Sequence, residues 1–194
     1  MRVAIIGAGG VGGYFGGMLA RAGHEVRLLA RGEHLEAIAS RGLEVREPGS
    51  SWTVRVLASE HVEELAPADL AIVAVKSYSL VEVAPIVRRL AENGAVALPL
   101  LNGVEAFERL AEHGVPADRM LAGLAVISAE KTAPGVITRK SDFRRVVLGE
   151  RGGGRSERAE RVAAAFRDAG AEARVSEEIV VDLWRKFLFL ATLA

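Results

Sequence analysis

Six residues near the start of the chain, Gly7-Ala8-Gly9-Gly10-Val11-Gly12, follow a G-x-G-x-x-G spacing. The pattern alone is weak, and its setting is what makes it specific. It follows directly on Arg2–Ile6, an apolar run that reads as a strand covered on both faces of a parallel sheet. It also opens Val11–Ala22, which reads as a helix stopped by Gly23. In that setting Gly7 allows a tight turn, Gly9 lets the backbone approach a pyrophosphate, and Gly12 lets helix and strand pack closely. Ala8, Gly10 and Val11 complete the loop, where the helix N-terminus offers free N–H groups and partial positive charge to phosphates. These six residues are expected to bind a dinucleotide; the alternative is a glycine-rich turn without a ligand. Gly13, Gly16 and Gly17 are expected to serve helix packing rather than phosphate contact.

The type of dinucleotide is read at the tip of the second strand, Glu25–Leu29. A carboxylate there would hold the ribose hydroxyls of NAD. The chain instead has Leu28-Leu29-Ala30-Arg31-Gly32. Arg31 is placed to pair with a 2′-phosphate through its planar fork, so the expected cofactor is NADP(H).

These residues sit in a regular alternation of strands and helices. After the second strand come a helix over Glu33–Ser40 and two alternating segments, Leu43–Arg46 and Thr53–Leu57, that suggest a hairpin or bent edge. Leu70–Val75 and Ala95–Leu100 read as buried strands, with helices over Ser79–Asn93, tolerating Pro85, and over Glu105–His113. From Leu121 short β segments take over (Leu121–Ala129, Gly135–Thr138, Arg145–Leu148). A helix over Glu157–Ala169 and a strand over Glu172–Val175 follow. The pattern predicts an α/β fold, a Rossmann-type doubly wound sheet with a mixed or antiparallel extension. Ser176 is expected to cap a last helix over Ile179–Ala194, the first of an all-α second domain. That helix is nearly apolar all round at its end and must be buried in something. The expected domains are 1–175, binding NADP, and 176–194, the start of a truncated helical domain.

Composition narrows the function classes. The 194 residues carry 25 Lys+Arg against 25 Asp+Glu, so charge gives no reason to expect nucleic acid or an anionic membrane as a partner. The chain contains no cysteine, which excludes disulfides and thiolate metal sites and suits a reducing compartment. The four histidines, His24, His34, His61 and His113, have no ligand spacing, and all are read as surface residues. The first strand reads as beginning at once, so no signal peptide is expected, and no apolar run reaches the ~20 residues of a membrane helix. A cytoplasmic protein is expected.

The glycine loop and Arg31, with Val75-Lys76-Ser77, Leu101-Asn102-Gly103 and Leu183-Trp184-Arg185-Lys186 in that order, give a chain that resembles the ketopantoate reductase (2-dehydropantoate 2-reductase) family. The resemblance implies NADPH-dependent reduction of ketopantoate or a related branched 2-oxo acid, as in pantothenate biosynthesis. It puts Lys76 near the nicotinamide, Asn102 against both cofactor and substrate, and Ala129 in backbone contact with the cofactor. Lys186 resembles the family's catalytic lysine, and a cation that donates a proton suits a carbonyl oxygen gaining negative charge. Lys76 and Asn102 also follow parallel strands, where ligands of open α/β sheets bind. Trp184 is read as packing.

The chain departs from the family pattern at three points. Leu190 and Ala194 stand where the family carries asparagines after the lysine, so a polar pocket shaped for ketopantoate is in doubt. Arg139 and Lys140 occupy the stretch after Pro134-Gly135 where the family has a histidine. The acidic residue that the family's second domain supplies is missing from this chain. The alternative reading is a nucleotide-binding module without catalysis; a third, that the apolar last helix serves assembly, leaves a homodimer open.

Overall fold

The computed structural model describes residues 1–192. In chain order its elements are β1 (Arg2–Ile6), α1 (Gly10–Arg21), β2 (Glu25–Leu29), α2 (Gly32–Arg41), β3 (Leu43–Glu47), β4 (Ser50–Val54), β5 (Leu57–Ser59), β6 (Leu70–Val73), α3 (Leu80–Glu92), β7 (Val96–Pro99) and α4 (Ala106–Glu112). The second part adds β8 (Ala122–Val126), β9 (Ala129–Ala133), β10 (Val136–Arg139), β11 (Arg145–Gly149), α5 (Glu157–Asp168), β12 (Glu172–Val175) and α6 (Ile179–Ala191).

Five strands form a wholly parallel sheet in the order β5-β2-β1-β6-β7. Its two faces carry different side chains because successive residues point opposite ways. One face presents Val3, Ile5, Val26, Leu28, Leu70 and Ile72, packed with Phe15 and Leu19 of α1 and Phe166 of α5. The other presents the smaller Ala4, Ala71 and Ala97 beside Ile6 and Val73, packed with Val83, Val87 and Leu90 of α3. Volume is matched across each interface. The glycines of α1 meet the large face, since a Cβ at Gly16 would lie 3.0 Å from Ile5 and 3.1 Å from Leu28. Gly13 lies likewise against Ile137, and Gly17 against Trp52, Leu43 and Val45, so these glycines serve packing as expected.

The extension is two smaller sheets, β4-β3-β10-β9 and β12-β11-β8, each mixed. Two expected segments divide here. Thr53–Leu57 splits, with β4 closing a hairpin on β3 and β5 leaving to pair with β2. Leu121–Ala129 splits at Ile127-Ser128, sending β8 to one sheet and β9 to the other. A chain shared between two sheets must bend, and period-2 alternation does not mark where.

The cap of α6 also differs from expectation. The helix begins at Ile179 with Glu178 in the cap position, and Ser176 lies two residues earlier, its N–H still bonded to the Leu148 carbonyl at 2.8 Å as an extension of β12. Its Oγ instead accepts from the Glu178 N–H at 3.1 Å and donates to Asp182 Oδ2 at 2.6 Å. The helix docks through Ile179 and Leu183 onto Ala122, Leu124 and Val147. Trp184, Phe187, Leu188 and Phe189 stay exposed, so the described residues of this chain leave the apolar last turns uncovered. Trp184 packs edge-to-face on Phe187 at 5.7 Å, a packing role as read.

Beneath the second sheet lies a buried polar cluster around Glu47. Its Oε1 accepts from the Tyr14 hydroxyl at 2.6 Å and from Arg139 Nε at 3.0 Å, and its Oε2 from Trp52 Nε1 at 3.1 Å. Burial would raise the carboxyl pKa, but these three donors outweigh it and hold it below the ordinary value of 4.5. Burial, then the bond to Glu47, pushes the Tyr14 hydroxyl up to about 12.

Phe166 is fully buried and packs edge-to-face on Phe15 at 5.5 Å, so Phe166→Ala is expected to cost about 3–5 kcal/mol in urea unfolding. Because the Glu47 pKa is depressed in the fold, its contribution is present above the ordinary glutamate value and lost as pH falls through the folded one. Glu47→Gln should be less stable than wild type at neutral pH and should flatten the acid limb of stability against pH.

Candidate functional site

A cavity of about 650 Å³ opens at the C-terminal ends of the parallel strands. It lies where the sheet order reverses, with β1 between β2 and β6, the place where open α/β sheets hold ligands. Four of the five strands deliver their following loops to the rim: Gly7–Val11 after β1, Ala30-Arg31 after β2, Ala74–Ser77 after β6, and Leu100–Asn102 after β7. Ala129, the first residue of β9, closes one side.

The glycine loop is built as its spacing predicts. Gly7 has φ +102°, a conformation that side chains avoid. Gly12 stands behind the cavity wall, where a Cβ would fall on the Gly7 carbonyl oxygen and press Ile5. At Gly9 a Cβ would meet nothing within 4 Å, so that position faces open space. The sequence reading put Gly10 among the phosphate contacts, and the structure adds a second reason for it: a Cβ there would fall on the Ala129 carbonyl. Gly10 and Val11, in the first turn of α1 where N–H groups lack helical partners, line the same space, so the loop fits a diphosphate.

Arg31 caps α2 in an extended conformation and is mostly exposed, its Nη2 3.3 Å from Glu82 Oε1 on α3. Both side chains border the cavity. Lys76 also borders it, immediately before a single turn of 3₁₀ helix at Ser77–Ser79, and has no ion pair among the described residues. Lys186 reaches the rim from α6, and its Nζ donates to Asn102 Oδ1 at 2.9 Å across 84 residues of chain. Burial pulls the Lys186 pKa from 10.5 down to about 8. An ammonium so poised holds its proton at neutral pH and releases it readily.

Some site residues escaped the sequence reading. His34, read as a surface residue, is only 7% exposed and lines the cavity wall. Its place three residues after Arg31 was the available signal, because the first turn of α2 must lie beside the glycine loop. Glu82 and Lys131 also border the cavity, and nothing in their local sequence marks them. Arg139 turns away from the cavity into the Glu47 cluster, and Lys140 pairs with Glu130 at 2.7 Å. Leu190, one turn after Lys186, has no side-chain hydrogen-bonding group, and Ala194 lies outside the described residues. Among the described residues there is no cluster of metal-ligating side chains and no helix long and apolar enough to cross a membrane.

Residues 3–153 match the model of the family described as ketopantoate reductase PanE/ApbA. An uncharacterized oxidoreductase, YkpB, of Bacillus subtilis is 34% identical over all of this chain and 63% of its own length. The 2-dehydropantoate 2-reductase of Pyrococcus abyssi is 35% identical over 96% of this chain and 60% of its own. Among solved structures, 2-dehydropantoate 2-reductase from Porphyromonas gingivalis superposes with a TM-score of 0.90 at 32% identity, over 96% of this chain and 68% of that one. A D-mandelate dehydrogenase in ternary complex with NADH and anilino(oxo)acetate superposes at 0.85 with 28% identity, over 96% of this chain and 60% of that one. The chain thus spans about three-fifths of the length of the curated relatives it matches. With the parallel sheet, the glycine loop and these matches together, the chain belongs to the PanE/ApbA ketopantoate reductase family of oxidoreductases.

Proposed function

We propose that this chain supplies the NADP(H)-binding part and the proton donor of a cytoplasmic 2-oxo acid reductase. Its substrate would be 2-dehydropantoate or a related branched 2-oxo acid. The observation that carries the reading is the Lys186–Asn102 hydrogen bond at the rim of the dinucleotide-shaped cavity. Residues 1–175 form the cofactor-binding domain in this reading, and 176–194 begin a helical second domain.

When bound, NADPH supplies a hydride to the carbonyl carbon beside the substrate carboxylate. Gly7–Gly12 receive the pyrophosphate at the N-terminus of α1, and Arg31 pairs with the 2′-phosphate, leaving Glu82 to do so. Ala129 adds a backbone contact and Lys76 lies toward the nicotinamide. Asn102 accepts one Lys186 proton through Oδ1, which aims the ammonium and leaves its other protons for the substrate oxygen. As negative charge develops on that oxygen, Lys186 donates a proton to it. The small gap between the lowered Lys186 pKa and neutral pH eases that transfer. Leu190 offers no hydrogen bond one turn further on, which favours the general reading, a branched 2-oxo acid, over ketopantoate itself.

Loss of 340 nm absorbance with a panel of branched 2-oxo acids, in the whole natural protein, tests the assignment. Dinucleotide binding without consumption of NADPH by any of them would sink it in favour of a non-catalytic module. Lys186→Ala is expected to lower kcat by about 10²–10⁴ while NADPH still binds. In wild type, kcat/KM for reduction should be level below about pH 8 and fall tenfold per unit above it, as Lys186 loses its proton. Arg31→Ala should weaken NADPH binding by roughly 10–100-fold and leave NADH binding nearly unchanged, measured by titration.

A further inference from the structure

The His34 ring lies between two backbone groups that are far apart in sequence. Its Nε2 is 2.8 Å from the carbonyl oxygen of Ala8, in the glycine loop. Its Nδ1 accepts from the N–H of Gly135, in the turn between β9 and β10, at 2.9 Å. An amide N–H can only donate and a carbonyl can only accept, so these partners select the neutral ring with its proton on Nε2. Burial lowers the ring's pKa and the charge of Lys131 lowers it further, against the bond to Ala8, so the ring is neutral at neutral pH.

The bond to Ala8 orients the loop. In a trans peptide the carbonyl and the following N–H point to opposite sides. Holding the Ala8 carbonyl on His34 therefore sets the direction of the Gly9 N–H, which borders the cavity and donates to no protein group among the described residues. Gly10 rests on the Ala129 backbone from the other side. The loop is thus held on two sides, by α2 through the His34 bond to Ala8 and by the close approach of Gly10 to the β9 backbone. The base of the grip is the β9–β10 turn, where Gly135 has φ +76° and its carbonyl accepts from the Glu44 N–H at 2.8 Å.

We propose that His34 is a positioning residue for phosphate binding: bridging Ala8 to Gly135, it holds the peptide between Ala8 and Gly9 in the orientation that donates to a pyrophosphate. The inference rests on the dinucleotide reading above. His34→Phe keeps a ring of similar shape and removes both bonds, whereas His34→Gln keeps one donor and one acceptor. The Kd for NADPH is expected to rise about tenfold in His34→Phe and to return to within about threefold of wild type in His34→Gln. The KM for the 2-oxo acid and kcat at saturating NADPH should stay near wild type in both. An unchanged Kd in His34→Phe overturns the proposal, whereas failure of wild type to bind NADPH overturns the dinucleotide reading itself. If His34→Phe does not fold, the ¹⁵N shifts of the wild-type ring decide. They should report an unprotonated Nδ1 and an Nε2–H that shifts when NADPH is added. The opposite tautomer, or a ring indifferent to NADPH, overturns the proposal.

Discussion

The glycine face of α1 lies directly on Ile5 and Leu28 of the parallel sheet, with no side chain of its own between them. This contact sets the height of the helix above β1 and hence the place of its N-terminus at the strand's end. Only at that height can Gly12 sit against the Gly7 carbonyl and the first-turn N–H groups face the cavity. The opposite face of the sheet uses alanines to admit the bulkier α3, so the two helices are seated by complementary volumes. A well-packed interface of this kind resists small displacements, as the proposed phosphate site, built from backbone N–H groups, would require.

The polar parts of the cavity depend on that frame. Arg31 and Glu82 come from α2 and α3, and Asn102 and Lys186 from the loop after β7 and from α6. Neither pair is close in sequence: Arg31 and Glu82 meet because parallel strands end side by side, whereas Lys186 reaches Asn102 because α6 docks on β8 and β11. The two pairs differ in consequence. Arg31–Glu82 is exposed and weakly coupled, so an incoming anion can displace the carboxylate at little cost. Lys186 is half-buried beside a neutral amide, and the loss of water around it lowers its pKa.

The second sheet explains why a cation at Arg139 does not join the site. Glu47, at the end of β3, is held below the ordinary glutamate pKa by donors from Tyr14, Trp52 and Arg139, and that pairing turns the Arg139 guanidinium away from the cavity. The same sheet carries the β9–β10 turn against which His34 braces the glycine loop. A structural cluster and the cavity wall therefore share one scaffold.

The strand–glycine–helix unit was legible in residues 2–22 alone, because local sterics at Gly7 and the alternation of side chains are properties of neighbouring residues. Arg31 was legible too at the tip of the second strand, whereas Lys76 and Asn102 were singled out by the resemblance and only then rationalised by their places after parallel strands. Lys186 and Ala129 came from resemblance, and tertiary structure brought Lys186 to 2.9 Å from Asn102. What only the fold decided was long-range: the division of Leu121–Ala129 between two sheets, the inward turn of Arg139, and the burial of His34. A histidine reads as a surface residue, and an arginine gives no sign of turning inward, when their neighbours are known only along the chain. Their partners, Gly135 and Glu47, stand 101 and 92 residues away, and that separation is closed only when the sheets assemble.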